Sequence, residues 1–176
     1  MTLSNLANQT ALLCIDLQPK LVQVTGGERL FQQALKTLKI CRELGVSVFA
    51  TEQVPQKLGA TCEELSNFFA CPAFAKTKFS AYEVLTQNLQ LPKSVLLCGV
   101  EAHICLFQTA LDLLDAGFEV SVLGDVCASR NERDAQMAFE NLRSFGAKVL
   151  SVECWAFLRL QSAQNEHFKN ISNIIK

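Results

Sequence analysis

The sequence predicts an α/β fold: a three-layer α/β/α sandwich around a mostly parallel, Rossmann-like central sheet of about six strands. Three observations carry that prediction. Short runs rich in β-branched residues recur along the chain, they are apolar nearly throughout instead of alternating, and segments of helical period separate them. Strands covered on both faces read as continuous apolar runs, and strand–helix alternation with right-handed crossovers stacks parallel strands between helices. At 176 residues the chain has the length of one ordinary domain, so residues 1–176 are read as a single unit.

The first strand is residues 11–15, and it leads directly into Asp16, Gln18 and Pro19. A helix follows, because Leu30, Phe31, Ala34, Leu35, Leu38, Ile40 and Leu44 recur at spacings close to three or four and Gly45 stops them as a C′ glycine would. Residues 46–51 are the second strand. Residues 52–82 form a long connection containing Pro55, Gly59 and Pro72. Connections of that length tend to carry function, and this one is expected to wrap over the carboxyl ends of the strands. Residues 94–98 are the next strand and 105–114 a helix ended by Gly117. Strand 119–123 and helix 131–145, closed by Gly146, repeat the pattern before a strand at 148–152. Residues 155–176 read as one or two helices closing a sheet edge or an oligomer contact.

Composition narrows the function classes. With 49% hydrophobic and 19% charged residues the chain is a folding sequence, not a disordered one. Its net charge of -1 provides no general attraction to nucleic acid or anionic lipid. No apolar run approaches the roughly 20 residues of a membrane span, and residues 1–9 lack a basic leader region, so a cytoplasmic protein is expected. Eight cysteines occur without a C-x-x-C pair, which argues against a zinc ribbon or a thioredoxin-type site. Several, such as Cys14, Cys98 and Cys154, sit in strand-like apolar runs and read as buried reduced hydrophobes.

Ligands of open parallel sheets bind beyond the carboxyl ends of the strands. Three reactive residues occupy such places: Asp16 after the first strand, Lys76 near the end of the long connection, and Cys105 at the start of a helix. A cysteine at a helix N-terminus meets the positive end of the helix dipole, and a nearby lysine would favour its thiolate further. An aspartate could take the thiol proton and return it to a leaving amine, while backbone amides of the turn hold an oxyanion. Taken one at a time, each residue also has a plain structural reading, as core thiol, helix cap or surface charge.

Their flanking residues resemble a known family. The segments 14–18 (Cys14, Ile15, Asp16, Leu17, Gln18), 76–82 (from Lys76 through Phe79 to Tyr82) and 99–105 (from Gly99 through Glu101 and His103 to Cys105) are similar to the three catalytic segments of isochorismatase-like cysteine hydrolases. Residues 124–130, containing Asp125, Ser129 and Arg130, are similar to a further segment of that family, and the likeness spans residues 10–153. Thr51, Glu52 and Gln53 with residues 58–61 resemble the isochorismatase-domain-containing subgroup. The resemblance implies Asp16 as general base and acid, Lys76 as the supporting cation and Cys105 as nucleophile. Lys78 is the decoy lysine of its segment. It also implies a cis peptide between Val100 and Glu101, with the N–H groups of Glu101 and Cys105 facing an oxyanion. Gln18, Phe79, Glu101, Phe107 and Trp155 are the expected pocket walls around a small substrate, and a homo-oligomer is expected.

Two departures shape the reading. Nicotinamidases of this family hold a metal through an Asp-x-His motif and a further histidine, whereas the corresponding stretch here is Glu52, Gln53 and Val54; the two histidines are His103 and His167. No metal and no cofactor are therefore expected. His103 is read as lining a pocket or facing a neighbouring subunit. Ala102 stands where many members have threonine. There is no G-x-G-x-x-G, no P-loop and no G-x-S-x-G. The leading reading is a cysteine hydrolase acting on an amide-like C–N bond through a thioester. A vinyl-ether hydrolase using the aspartate alone, and a non-catalytic or redox-sensing oligomer, remain alternatives.

Overall fold

The computed structural model describes residues 10–176; the leader reading of residues 1–9 lies outside the described residues. Six parallel strands form one sheet in the order β3-β2-β1-β4-β5-β6. In chain order these are β1 (Thr10–Ile15), β2 (Ser47–Gln53), β3 (Phe74–Lys76), β4 (Ser94–Val100), β5 (Glu119–Ala128) and β6 (Lys148–Leu150). Nine helices are described: α1 (Pro19–Thr25), α2 (Gly27–Glu43), α3 (Pro55–Leu58), α4 (Glu63–Ser66), α5 (Tyr82–Asn88), α6 (Cys105–Asp115), α7 (Glu132–Ser144), α8 (Val152–Leu160) and α9 (Phe168–Ile175).

The centre of the sheet is the driest part. Every residue of β1 and β4 is buried, and Leu12, Leu13, Ile15, Leu96 and Leu97 are wholly so. Each such side chain contributes on the order of 1.5–3 kcal/mol through burial. Helix α2 buries Leu30, Ala34, Thr37, Leu38 and Cys41, a stripe repeating every three or four residues that faces the sheet. Because β1 pairs with β2 on one side and β4 on the other, the sheet grows outward in both directions from it. The carboxyl end of β1 is thus the switch point at which such sheets bind ligands.

Several boundaries differ from the sequence reading, each for a local reason. The second strand runs on past Thr51 to Gln53, because the tail of the long connection returns as β3 and pairs Thr51 with Phe74 and Gln53 with Lys76. That three-residue strand at the sheet edge lacks the β-branched signature sought in the sequence. Strand β5 continues from the expected end at Leu123 through Gly124 and Asp125 to Ala128, after a register shift opposite Leu97 and Gly99. The last strand stops at Leu150, two residues early, because the Ser151 hydroxyl accepts the Cys154 N–H and caps α8. The C-terminal stretch forms two helices, and α9 packs on α2 and α8.

Candidate active site

Three strand ends converge on one buried cluster. Asp16 follows β1 with φ of 54°, a left-handed conformation that aspartate tolerates better than most residues. Its N–H is held by the Thr51 carbonyl at 3.2 Å. The carboxylate is fully buried: Oδ1 accepts the Thr51 hydroxyl at 2.8 Å and Oδ2 accepts Lys76 Nζ at 2.7 Å. Lys76 ends β3, two strands away, and its ammonium reaches across the end of β2. There it also donates to Gln53 Oε1 at 2.6 Å, the Phe79 carbonyl at 2.9 Å and the Lys78 carbonyl at 3.3 Å. With its side chain 3% exposed, this ion pair lies almost entirely out of water.

Cys105 opens α6, 6% exposed, and the charges of Asp16 and Lys76 both act on its thiol. The turn before it starts at the cis peptide Val100–Glu101. In this turn the Ala102 N–H donates to the Ala128 carbonyl, and those of Ile104 and Leu106 donate to the Glu101 carbonyl. The N–H groups of Glu101 and Cys105 meet no acceptor among the described residues. Gly99 lets the turn sit tight against β1. Its φ is 126°, and a Cβ there would stand 2.0 Å from the Ile15 carbonyl oxygen. Thr109 fastens the helix, accepting the Ala81 N–H at 2.9 Å and donating to the Cys105 carbonyl at 2.6 Å.

The electrostatics correct one expectation. The thiol of Cys105 is not depressed toward thiolate but pushed up to about 12, first by burial and then by the Asp16 charge, with Lys76 pulling the other way. The helix terminus signalled a nucleophile, while the burial that opposes ionisation was invisible in the sequence. In the resting site the thiol keeps its proton beside a carboxylate able to receive it.

The remaining sequence candidates disperse. Gln18, expected as a wall, is fully buried and bound to backbone: Oε1 accepts the Gln53 N–H at 2.8 Å, and Nε2 donates to the carbonyls of Gln53 and Gly59. Trp155 sits in the core at 1% exposure instead of at an open wall, because β6 ends early and α8 turns the ring inward. Phe107 lies away from the triad with His103, Asp134, Met137, Ala138 and Asn141 around a cavity of roughly 210 Å³ between α6 and α7. His103 Nδ1 bonds Ser129 Oγ at 2.8 Å there. Phe79 projects at the surface, 53% exposed, while its carbonyl serves Lys76. Glu101 is buried and binds the backbone N–H and Nε of Arg130 through one oxygen. Lys78 pairs with Glu83 at the surface, apart from the cluster. The sequence reading missed Thr51 and the site role of Gln53, although both lie in a segment singled out for other reasons.

Carboxylate, ammonium and thiol are thus gathered beyond the central strands of a doubly wound parallel α/β fold. The chain belongs to the isochorismatase-like hydrolase family: the isochorismatase domain matches residues 10–154. It is 38% identical over 174 residues to isochorismatase domain-containing protein 2 of Bos taurus, covering 97% of this chain and 85% of that protein. It is 44% identical over 142 residues to the secreted isochorismatase effector Isc1 of Phytophthora sojae, covering 76% of this chain and 68% of that one. The structure described as MAR1 ribonuclease from Caenorhabditis elegans superposes with a TM-score of 0.88 at 30% identity, covering 96% of this chain and 90% of that one. No described helix is long and apolar enough to cross a membrane.

Proposed function

We propose that the protein hydrolyses a small amide-like substrate by covalent catalysis, with Cys105 as nucleophile, Asp16 as proton carrier and Lys76 as fixed positive charge. The observation that carries this reading is a buried ion pair whose two charges both act on one thiol, drawn from three separate strand ends. As Cys105 Sγ bonds to the carbonyl carbon, its proton passes to Asp16. Collapse of the adduct breaks the C–N bond, Asp16 gives the proton to the leaving nitrogen, and a thioester remains. Water, losing a proton to Asp16, then cleaves the thioester to an acid and returns the thiol. The N–H groups of Glu101 and Cys105 are the donors available to the oxyanion.

The donor set agrees with a reaction that needs no metal. The Glu52 carboxylate accepts the Thr61 N–H at 2.7 Å and Gln53 is engaged by Lys76, so the stretch that parallels a metal motif is already occupied. A low-pKa redox sensor fits poorly, since the thiol is shifted upward. The ribonuclease name belongs to the worm protein. Here a net charge of -1 and an almost fully buried triad favour a small molecule over RNA. Eight free thiols suit a reducing, cytoplasmic compartment.

The test is a panel of small primary amides with mass spectrometry of the intact protein. Wild type should release ammonia and show an acyl adduct on Cys105, and Cys105→Ala should do neither while keeping its melting temperature. Turnover by Cys105→Ala at the wild-type rate would overturn the proposal. If that variant instead cleaved a vinyl ether, the aspartate-only reaction would be the correct one.

A further inference from the structure

Lys76 has three N–H donors and, besides the thiol, four oxygen neighbours. Two of those oxygens are main-chain carbonyls of its own loop and one is Asp16. The fourth, Gln53 Oε1, is the only neutral side chain among them, and at 2.6 Å the closest of the four. Gln53 is itself immobilised on every side. Its Nε2 donates to the Thr77 carbonyl at 2.8 Å, which settles which end of the amide faces Lys76. Its backbone N–H and carbonyl are both taken by the Gln18 side chain, at 2.8 and 3.2 Å. The residue that follows, Val54, has φ of 38°, an unusual conformation for a β-branched side chain, and its N–H is held by the Lys76 carbonyl at 2.9 Å.

We infer that Gln53 is a positioning residue: it aims the Lys76 ammonium at Asp16 and Cys105, and Gln18 in turn aligns Gln53. The geometry explains why such a residue is needed. Adjacent strands stand roughly 4.8 Å apart, so a lysine on β3 must lean about 10 Å across β2 to reach the end of β1. A flexible four-carbon stem holds that pose only if its head is caged. Gln53, the last residue of β2 and the register partner of Lys76, stands under the crossing. Its neutrality matters as well. A carboxylate there would add a second negative charge to the pocket and draw the ammonium away from Asp16, whereas the amide accepts a hydrogen bond without competing for charge.

This inference rests on the triad described above, but its test reads the thiol itself and needs no substrate. Gln53→Met keeps the volume and removes the acceptor; Gln53→Glu keeps an acceptor and adds charge. The probe is iodoacetamide, with alkylation of Cys105 followed by mass spectrometry from pH 7 to 11 beside the melting temperature. The groups that set the titration are Asp16 and Lys76. Both variants are expected to move the apparent pKa of Cys105 upward by about one unit, which is roughly tenfold slower alkylation below the pKa. Gln53→Glu should do so while keeping more of the wild-type melting temperature than Gln53→Met. An unchanged alkylation profile in a folded variant, whatever the melting temperature, would reduce Gln53 to a structural residue and overturn the inference. Failure of the amide panel alone would leave this readout intact and would strike only the proposed reaction. Where an amide substrate is found, the loss should fall on kcat and not on KM.

Discussion

Replacing Asp16 with asparagine removes a negative charge from beside the Cys105 thiol while nearly preserving shape, and it should have two effects of opposite sign. Burial and the Asp16 charge together lift the thiol from 9.0 to about 12. At about 1.36 kcal/mol per pKa unit that is on the order of 4 kcal/mol against the thiolate. Burial is the larger cause and survives the substitution, as does the opposing pull of Lys76. The pKa should therefore fall by roughly one to two units, and alkylation of Cys105 at a fixed pH near 8 should speed up by about tenfold or more. Amide turnover should collapse at the same time, since no group remains to carry the proton. The assay is the rate of iodoacetamide labelling at Cys105 across pH, beside ammonia release. Slower labelling of folded Asp16→Asn would refute the electrostatic account. Lys76→Met supplies the contrast in stability. After Asp16→Asn the ammonium keeps three oxygen acceptors, but Lys76→Met strands a fully buried carboxylate with only a hydroxyl and a thiol beside it. Losing one partner of a buried pair costs about 3–5 kcal/mol, so Lys76→Met should melt roughly 10 °C lower and Asp16→Asn considerably less.

Two further outcomes follow from the same packing. Cys41, Cys98 and Cys127 are raised by their surroundings as Cys105 is, so the folded state keeps thiol protons that the unfolded chain gives up above pH 9. Proton release favours the unfolded state there, and urea midpoints should hold below pH 9 and then fall steeply toward pH 11; Cys127→Ala should flatten that fall, and a midpoint rising with pH would contradict it. Gly99→Ala should leave little soluble protein, because its Cβ meets the Ile15 backbone at 2.0 Å, whereas Gly45→Ala, in open space at φ of 65°, should cost only about 1–2 kcal/mol by thermal melting.

Much of this was readable in the chain, and the exceptions have physical causes. The central strands β1 and β4 announce themselves because strands buried on both faces have no room for polar residues. Asp16 stood out as the first chemically capable side chain after β1, and Cys105 as the thiol that opens the helix beyond β4. Strand β3 escaped notice because an edge strand of three residues makes few demands on side-chain type, and its pairing with β2 is a long-range event. The direction of the Cys105 shift was missed because a dipole can be read from a helix start, whereas desolvation depends on what the other strands bring overhead. Gln53 was noticed as part of a subgroup-like segment and as a departure from a metal motif, not as a partner of Lys76. A glutamine has no charge by which to mark itself, and its partner is 23 residues away. Trp155 was misplaced for a simpler reason: with α8 starting at Val152, the ring faces the core.

The order of strands around β1 has a consequence for how the protein could be taken apart. Everything up to α5 builds one flank of the sheet and brings Asp16, Gln53 and Lys76; everything from β4 onward builds the other and brings Cys105. The surface connection at residues 89–93 is the seam between them. A polypeptide divided at that seam would hold the carboxylate and ammonium on one piece and the sulfur on the other. Union of the two pieces across the β1–β4 edge and the α2–α9 and α5–α6 contacts would bury Cys105 and raise its thiol, so slowed alkylation there would report their assembly.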